Sequence, residues 1–231
     1  MGLLAEGLRQ ALALLVGGDR EVWSILWLSL VVSGTATLVA LLLGIPLGAG
    51  LALARFPGRR LVVSAVNTGM GLPPVVVGLF VSILLWRSGP FGDLEILYTP
   101  VAIVIAQAVI AAPIVTGITL AAVQNVPAPF RLQLLALGAS RAQMVWIVLR
   151  EARLPMLTAI MAGFGGVISE IGASLMVGGN IKGQTRTLTT AMVLETGKGN
   201  FEVAIALALL LMTLIFAANW ALTSIQQRRA G

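Results

Sequence analysis

NVPAPFRLQLLALGASRAQMVWIVLREARLP, residues 125–155, lies between two long apolar runs and carries Arg131, Arg141, Arg150 and Arg153 against the single acid Glu151. Loops on the cytoplasmic side of a membrane are enriched in lysine and arginine, so this is a cytoplasmic loop if the flanking runs cross a bilayer. Its punctuation reads as helix, tight turn, helix. Pro129 suits the first turn of a short helix, and Gly138 can close that helix in the left-handed conformation. Ser140 with Gln143 has the spacing of a capping box opening a second helix. In a soluble protein a basic helix after a tight turn raises the question of DNA binding. Here the bilayer holds both ends, so nucleic acid is set aside and the loop reads as a docking surface for a cytoplasmic partner.

Composition agrees with a lipid-embedded chain. Hydrophobic residues make up 58% and charged residues 10%, with a mean hydropathy of +0.99, whereas a soluble domain carries about 25% charge. There is no cysteine and no histidine. That excludes disulfides, thiolate catalysis and the commonest metal ligand, and no Ser/Lys or paired-carboxylate constellation stands at catalytic spacing. No catalytic residue and no metal site is expected.

Working outward, residues 1–16 place Leu4, Leu8, Ala11, Leu12 and Leu15 at helical spacing, ended by Gly17-Gly18. This is an amphipathic helix, either lying in the interface or packing on neighbouring spans, and it lacks the features of a cleaved signal peptide. Five apolar stretches follow, at about 22–54, 61–86, 99–123, 156–177 and 201–225, each compatible with a crossing of roughly 20 residues. The first holds Pro46 and reads as one kinked span. The second holds Pro73 and Pro74, which would remove two backbone donors at mid-membrane, a defect tolerated only against protein or a water-lined pathway. The fourth holds Glu170 and a run of small residues, Gly163, Gly165, Gly166 and Gly172. An ionisable group in a span is a functional candidate. It reads either as a gate or pathway group or as a structural carboxylate bonded to a neighbouring helix.

Residues 188–194 form an apolar run too short to cross, expected as a re-entrant or surface helix. Just before it, GGNIKGQT at 178–185 imitates a phosphate-binding loop, but Gln184 stands where that motif needs lysine, so nucleotide binding is rejected. Lys182 and Arg186 remain as candidate anion-guiding cations, or as ordinary surface charges. Five crossings with the N-terminus outside and the C-terminus inside put nine of the 15 lysines and arginines on the cytoplasmic side, including Arg55, Arg59, Arg60, Arg228 and Arg229. The inverted arrangement fails that asymmetry.

The run LALGASRAQ at 135–143 with Leu154-Pro155 beyond resembles the cytoplasmic loop of ABC importer permeases, although Leu132-Gln133-Leu134 stand where that family has Glu-Ala-Ala. The words LPPVVVG at 72–78, Glu170-Ile-Gly-Ala173 and Gly179-Asn180 are similar to those of oxyanion permeases, and GGNIKGQTRTLTTAMVLET at 178–196 most resembles the tungstate branch. The resemblance implies an all-α membrane protein of MetI-like ABC importer permease fold, five transmembrane helices plus the N-terminal amphipathic helix in a single domain. It implies a homodimer in the lipid of a bacterial or archaeal cell (inner) membrane. Two cytoplasmic ATP-binding subunits would clamp Leu134, Gly138, Ala139, Ser140, Arg141 and Gln143, and an extracytoplasmic binding protein would deliver tungstate or molybdate. ATP and magnesium would be bound by the partner, with no cofactor on this chain. Pro73, Pro74, Glu170 and Asn180 would belong to the pathway or gate. The competing readings are an ion-coupled secondary transporter with Glu170 as its proton site, and an ABC permease for another anion such as sulfate.

Overall fold

The computed structural model describes residues 2–228, and these contain eleven α-helices, one short 3-10 turn and no strand. Two long apolar helices form the spine, α2 (Arg20–Leu53) and α5 (Pro100–Gln124), the second and fifth in a chain that opens with α1 (Gly2–Val16). They run parallel: Val32 clusters with Ile103 and Ala106, Ala40 with Ala111 and Val115, and Ala49 with Ala122 and Val123. Lipid is as apolar as leucine, so packing between such helices depends on how closely backbones approach. A Cβ on Gly48 would fall 2.5 Å from the Thr116 carbonyl oxygen, and one on Gly44 2.7 Å from Val115 Cγ1. Asp19 caps α2 by accepting from the Glu21 and Val22 amides at 2.9 and 3.0 Å, and the helix continues through Pro46.

Two other elements are broken. The second span, at 61–86, breaks where Pro73 and Pro74 stand, into two helices, α3 (Arg59–Met70) and α4 (Pro74–Leu85), bent by 101°. The prolines explain the size of the bend. Pro73 forces Leu72 out of helical conformation, neither proline can donate, and Pro74 is well placed only as the first residue of a new helix. The stretch at 156–177 was expected to run unbroken. It divides into α8 (Arg153–Ile168) and α9 (Gly172–Gly178), bent by 57°, with the helices α6 (Ala128–Ala136) and α7 (Arg141–Glu151) preceding it. Here no proline is responsible. Glu170 takes over the amides that would otherwise continue the helix, as described below.

The chain ends in α10 (Leu188–Gly197) and α11 (Phe201–Arg228). The first turn of α10, Leu188 to Ala191, is buried, while its end at Thr196 and Gly197 is exposed, so the helix runs from the core out to the surface. α1 lies on α11, with Gly7 directly beneath Ile205, while Leu8 and Leu12 stay exposed, so packing and an outward apolar side coexist on one helix. The side chains of Leu4, Ala11, Leu15 and Arg228, and all of Arg229, lie outside the described residues. α2, α5 and α11 are long and apolar enough to cross a membrane, and each bent pair reaches that length when its halves are joined.

Candidate functional site

The two breaks meet beside the middle of α5. A Cβ on Gly69, near the end of α3, would touch Pro113 of α5 at 2.8 Å, and Ser174 of α9 is bonded to Gln107 of the same helix. The restarted helices then pack on each other through small residues. A Cβ on Gly172 would fall 2.5 Å from Val75 Cγ2, and one on Gly78 would fall 2.7 Å from the Ala173 Cα. Pro73, Pro74 and Glu170 are therefore brought to one place from residues about a hundred apart in the chain.

Glu170 is buried at 7% exposure, and among the described residues no cation pairs with it. Its Oε1 accepts from the Ala173 amide at 3.0 Å. Its Oε2 accepts from the Ser174 amide at 3.0 Å and from Ser174 Oγ at 3.2 Å. In an unbroken helix those two amides would bond to the carbonyls of Ser169 and Glu170. The carboxylate replaces both and sits at the positive end of α9, where a negative charge is stabilised. The displaced Glu170 carbonyl instead accepts from Thr189 Oγ1 of α10 at 2.9 Å. Gln107 Nε2 donates to Ser174 Oγ at 3.2 Å, while Gln107 Oε1 is buried without a protein partner.

α10 links this cluster to the next loop. Asn180, at φ 52°, donates through Nδ2 to the Thr190 carbonyl at 3.3 Å. Gly179, at φ 70°, lies under the Tyr98 ring, where a Cβ would meet Cδ1 at 2.9 Å, and the Tyr98 amide donates to the Val177 carbonyl at 2.8 Å. The loop thus begins at the C-terminal, electronegative end of α9, the wrong pole for a phosphate. Lys182 Nζ lies 2.7 Å from Glu21 Oε2, and Arg186 Nη1 lies 3.3 Å from Glu21 Oε1. Both candidate anion-guiding cations are tied to one carboxylate at the start of α2. That leaves one net positive charge among the three groups.

The elbow stands at the opposite end of the spine. Gly138, at φ 85°, terminates α6: its amide bonds the Leu135 carbonyl and the Ala139 amide bonds the Leu134 carbonyl, each at 3.0 Å. Ser140 and Gln143 then form a full capping box, Gln143 Oε1 accepting from the Ser140 amide at 2.8 Å and Ser140 Oγ from the Gln143 amide at 3.3 Å. Val148, fully buried, and Leu134, half-buried, anchor the two helices to the ends of α2 and α5. The tip points away from the core. Leu137 is 84% exposed, and Arg141 and Gln143 are exposed beside it.

Gln107, Ser174, Thr189 and Glu21 are site neighbours that reading the sequence did not single out for these roles. Ser174 was within reach, since it lies four residues from Glu170, the separation at which helical residues are neighbours.

Comparison with known proteins bears on the whole chain. A family model described as "Binding-protein-dependent transport system inner membrane component" matches residues 44–231. The tungstate uptake system permease protein of Peptoclostridium acidaminophilum is 39% identical over 227 residues, covering 98% of this chain and 100% of that one. A probable anion ABC transporter permease protein of Haloferax volcanii is 42% identical over 201 residues, covering 85% and 87%. Among solved structures, an inward-facing MetNI methionine ABC transporter superposes with a TM-score of 0.73 at 22% identity, covering 90% of this chain and 94% of that one. That last likeness is one of fold.

Proposed function

This chain belongs to the family of binding-protein-dependent transport system inner membrane components, and from that premise we propose that it carries a tetrahedral oxyanion, tungstate before molybdate, inward by alternating access. It is the permease subunit of an ABC importer and not itself an enzyme, ATP hydrolysis belonging to a separate subunit. Membership sets aside the ion-coupled transporter and the intramembrane enzyme. The observation that carries the pathway reading is the meeting of two broken helix pairs beside the middle of α5. Interrupted backbone at membrane depth is affordable only where it is covered by protein or lines a hydrated route.

In this reading the permease works as a homodimer with its N-terminus outside and its C-terminus cytoplasmic. Two ATP-binding subunits, holding ATP and magnesium, dock on Leu134, Gly138, Ala139, Ser140, Arg141 and Gln143. An extracytoplasmic binding protein supplies the anion at the opposite end, near Asn180, Lys182 and Arg186. Closure of the ATPase pair pushes the elbow, and the α4–α9 contact with Glu170 beneath it opens and closes the route. Leu132-Gln133-Leu134 lack the charge that the general pattern offers to the ATPase at this place.

The test is uptake into vesicles holding the purified permease with its ATPase and binding protein. ATP-dependent tungstate accumulation that persists in the presence of an uncoupler is the expected result. Uptake that ignores ATP and collapses with the proton gradient would sink this function. Labelling of Arg141 from the extracytoplasmic side would sink the orientation.

A further inference from the structure

Under the elbow, the end of α2, the turn that follows it, the end of α5 and the near side of α6 enclose an open groove of about 520 Å³. Arg55, Arg59 and Arg131 line it together with Leu53, Leu132 and Leu135, and no carboxylate does. None of the three arginines forms an ion pair among the described residues. Arg59 is held in place: its Nε donates to the Leu51 carbonyl at 2.7 Å, the open C-terminal end of α2, leaving the rest of the guanidinium for an anion.

The groove also has an apolar approach. Leu43 and Leu47 are four residues apart and share a face of α2, and Ala54 is the residue that caps the C-terminal end of that helix. Leu43 and Leu47 are 54% and 58% exposed, and Ala54 lines the groove. A hydrocarbon track therefore runs along a membrane-length helix and ends at three guanidinium groups. Free phosphate has no use for the track, and a soluble acidic partner could not reach it through lipid.

We propose that this groove seats the headgroup phosphate of an anionic phospholipid, with an acyl chain along Leu43 and Leu47. Basic pockets at the ends of spanning helices bind such headgroups through charge-assisted hydrogen bonds, and each arginine near the surface adds to the attraction. The site is separate from the elbow tip and does not depend on which anion is transported or in which direction.

Native mass spectrometry of the purified permease–ATPase complex, incubated with equal amounts of dioleoyl phosphatidylglycerol or dioleoyl phosphatidylcholine, tests it. The intact complex should retain phosphatidylglycerol preferentially. Arg55→Gln/Arg131→Gln should reduce that retention about tenfold or more while keeping the ATPase subunits bound. Arg55→Gln alone, at an exposed position, should reduce it about threefold to fivefold and serves if the double variant does not assemble. Retention unchanged in these variants, or equal for the two lipids, overturns the proposal. Millimolar inorganic phosphate that strips the lipid assigns the site to a free anion, and loss of the ATPase with lipid retention intact assigns the arginines to the protein partner. Either result overturns it as well.

Discussion

The cluster around Glu170 and the elbow around Gly138 are both places where a helix stops and another begins, yet they are built by opposite means. At Glu170 a buried side chain takes over the backbone's role: the carboxylate serves the Ala173 and Ser174 amides, and Thr189 serves the displaced Glu170 carbonyl. At Gly138 the break is exposed: α6 is closed by backbone bonds through a left-handed glycine with nothing within 4 Å of where its Cβ would be, and α7 is opened by the local Ser140–Gln143 capping box. The first holds one bend against three neighbouring helices. The second is a short rigid lever attached at its base and free at its tip. In the proposed importer the lever receives the motion and the buried bend converts it.

The largest effect is therefore expected at Glu170. In Glu170→Gln one oxygen can still accept from Ala173, but an amide now faces the Ser174 amide, and the helix terminus loses its charge. The cost is about 2–3 kcal/mol, placed where the two bent pairs touch. ATP-driven tungstate uptake should fall more than tenfold, while the yield of assembled permease–ATPase complex falls much less. If uptake and assembly fall together, the carboxylate only holds the fold and the contrast between holding and converting is lost. Next in size is Gly78→Val, which drives a side chain into the Ala173 backbone. Overpacking of that kind costs about 1–3 kcal/mol, and it should part α4 from α9. A cross-linker between engineered cysteines at Leu79 and Met176 would then react several-fold more slowly than in the parent pair. An unchanged rate would show that the two restarted helices are not a tight contact.

How much of this could be read from residues alone follows the distance between partners. The elbow was legible because Ser140 and Gln143 are three residues apart and Gly138 needs no partner at all. Pro73 and Pro74 announced a break, though not its angle, because two prolines forbid a helix locally while the direction of its restart is set by α9. The α8–α9 break was missed. Nothing between Ile168 and Gly172 forbids a helix, and Glu170 competes with the backbone only because Thr189 and Gln107 complete the cluster. Thr189 is 19 residues from Glu170, and Gln107 is 67 from Ser174. The pairing of Arg186 with Glu21 spans 165 residues, which is why two loop cations looked free. The parallel contact of α2 with α5 was equally silent in two runs that are apolar on every side.

A smaller effect on stability, with a larger one on coupling, is expected at Gly138→Val. The left-handed backbone costs a β-branched residue about 1–2 kcal/mol, and no neighbour is struck. The permease should still assemble and still bind its ATPase, yet ATP hydrolysis should no longer rise when loaded binding protein is added. Gly138→Asn, which tolerates φ 85°, should restore much of that response. If Val and Asn behave alike, the shape of the turn is not what transmits the push.

The smallest expected effect comes from a third helix end, which separates the two designs from ordinary surface capping. Glu195, near the end of α10, accepts from Asn200 Nδ2 and from Lys198 Nζ, each at 2.7 Å. The Asn200 hydrogen bond and then the Lys198 ammonium hold its carboxyl below the ordinary value of 4.5. A carboxyl whose folded pKa is depressed contributes stability that is fully present above the unfolded value and is lost as pH falls through the folded one. Detergent-solubilised permease should therefore show a small loss of Tm that begins below about pH 4.5, and Glu195→Gln should flatten that part of the profile. Because the pair is at the surface and screened by salt, adding 1 M salt should weaken the pH dependence in the parent and change little in the variant. Were Glu195→Gln to depress transport as strongly as Glu170→Gln, burial would not be what distinguishes a converting carboxylate from a capping one, and the contrast between the two breaks would have to be drawn on other grounds.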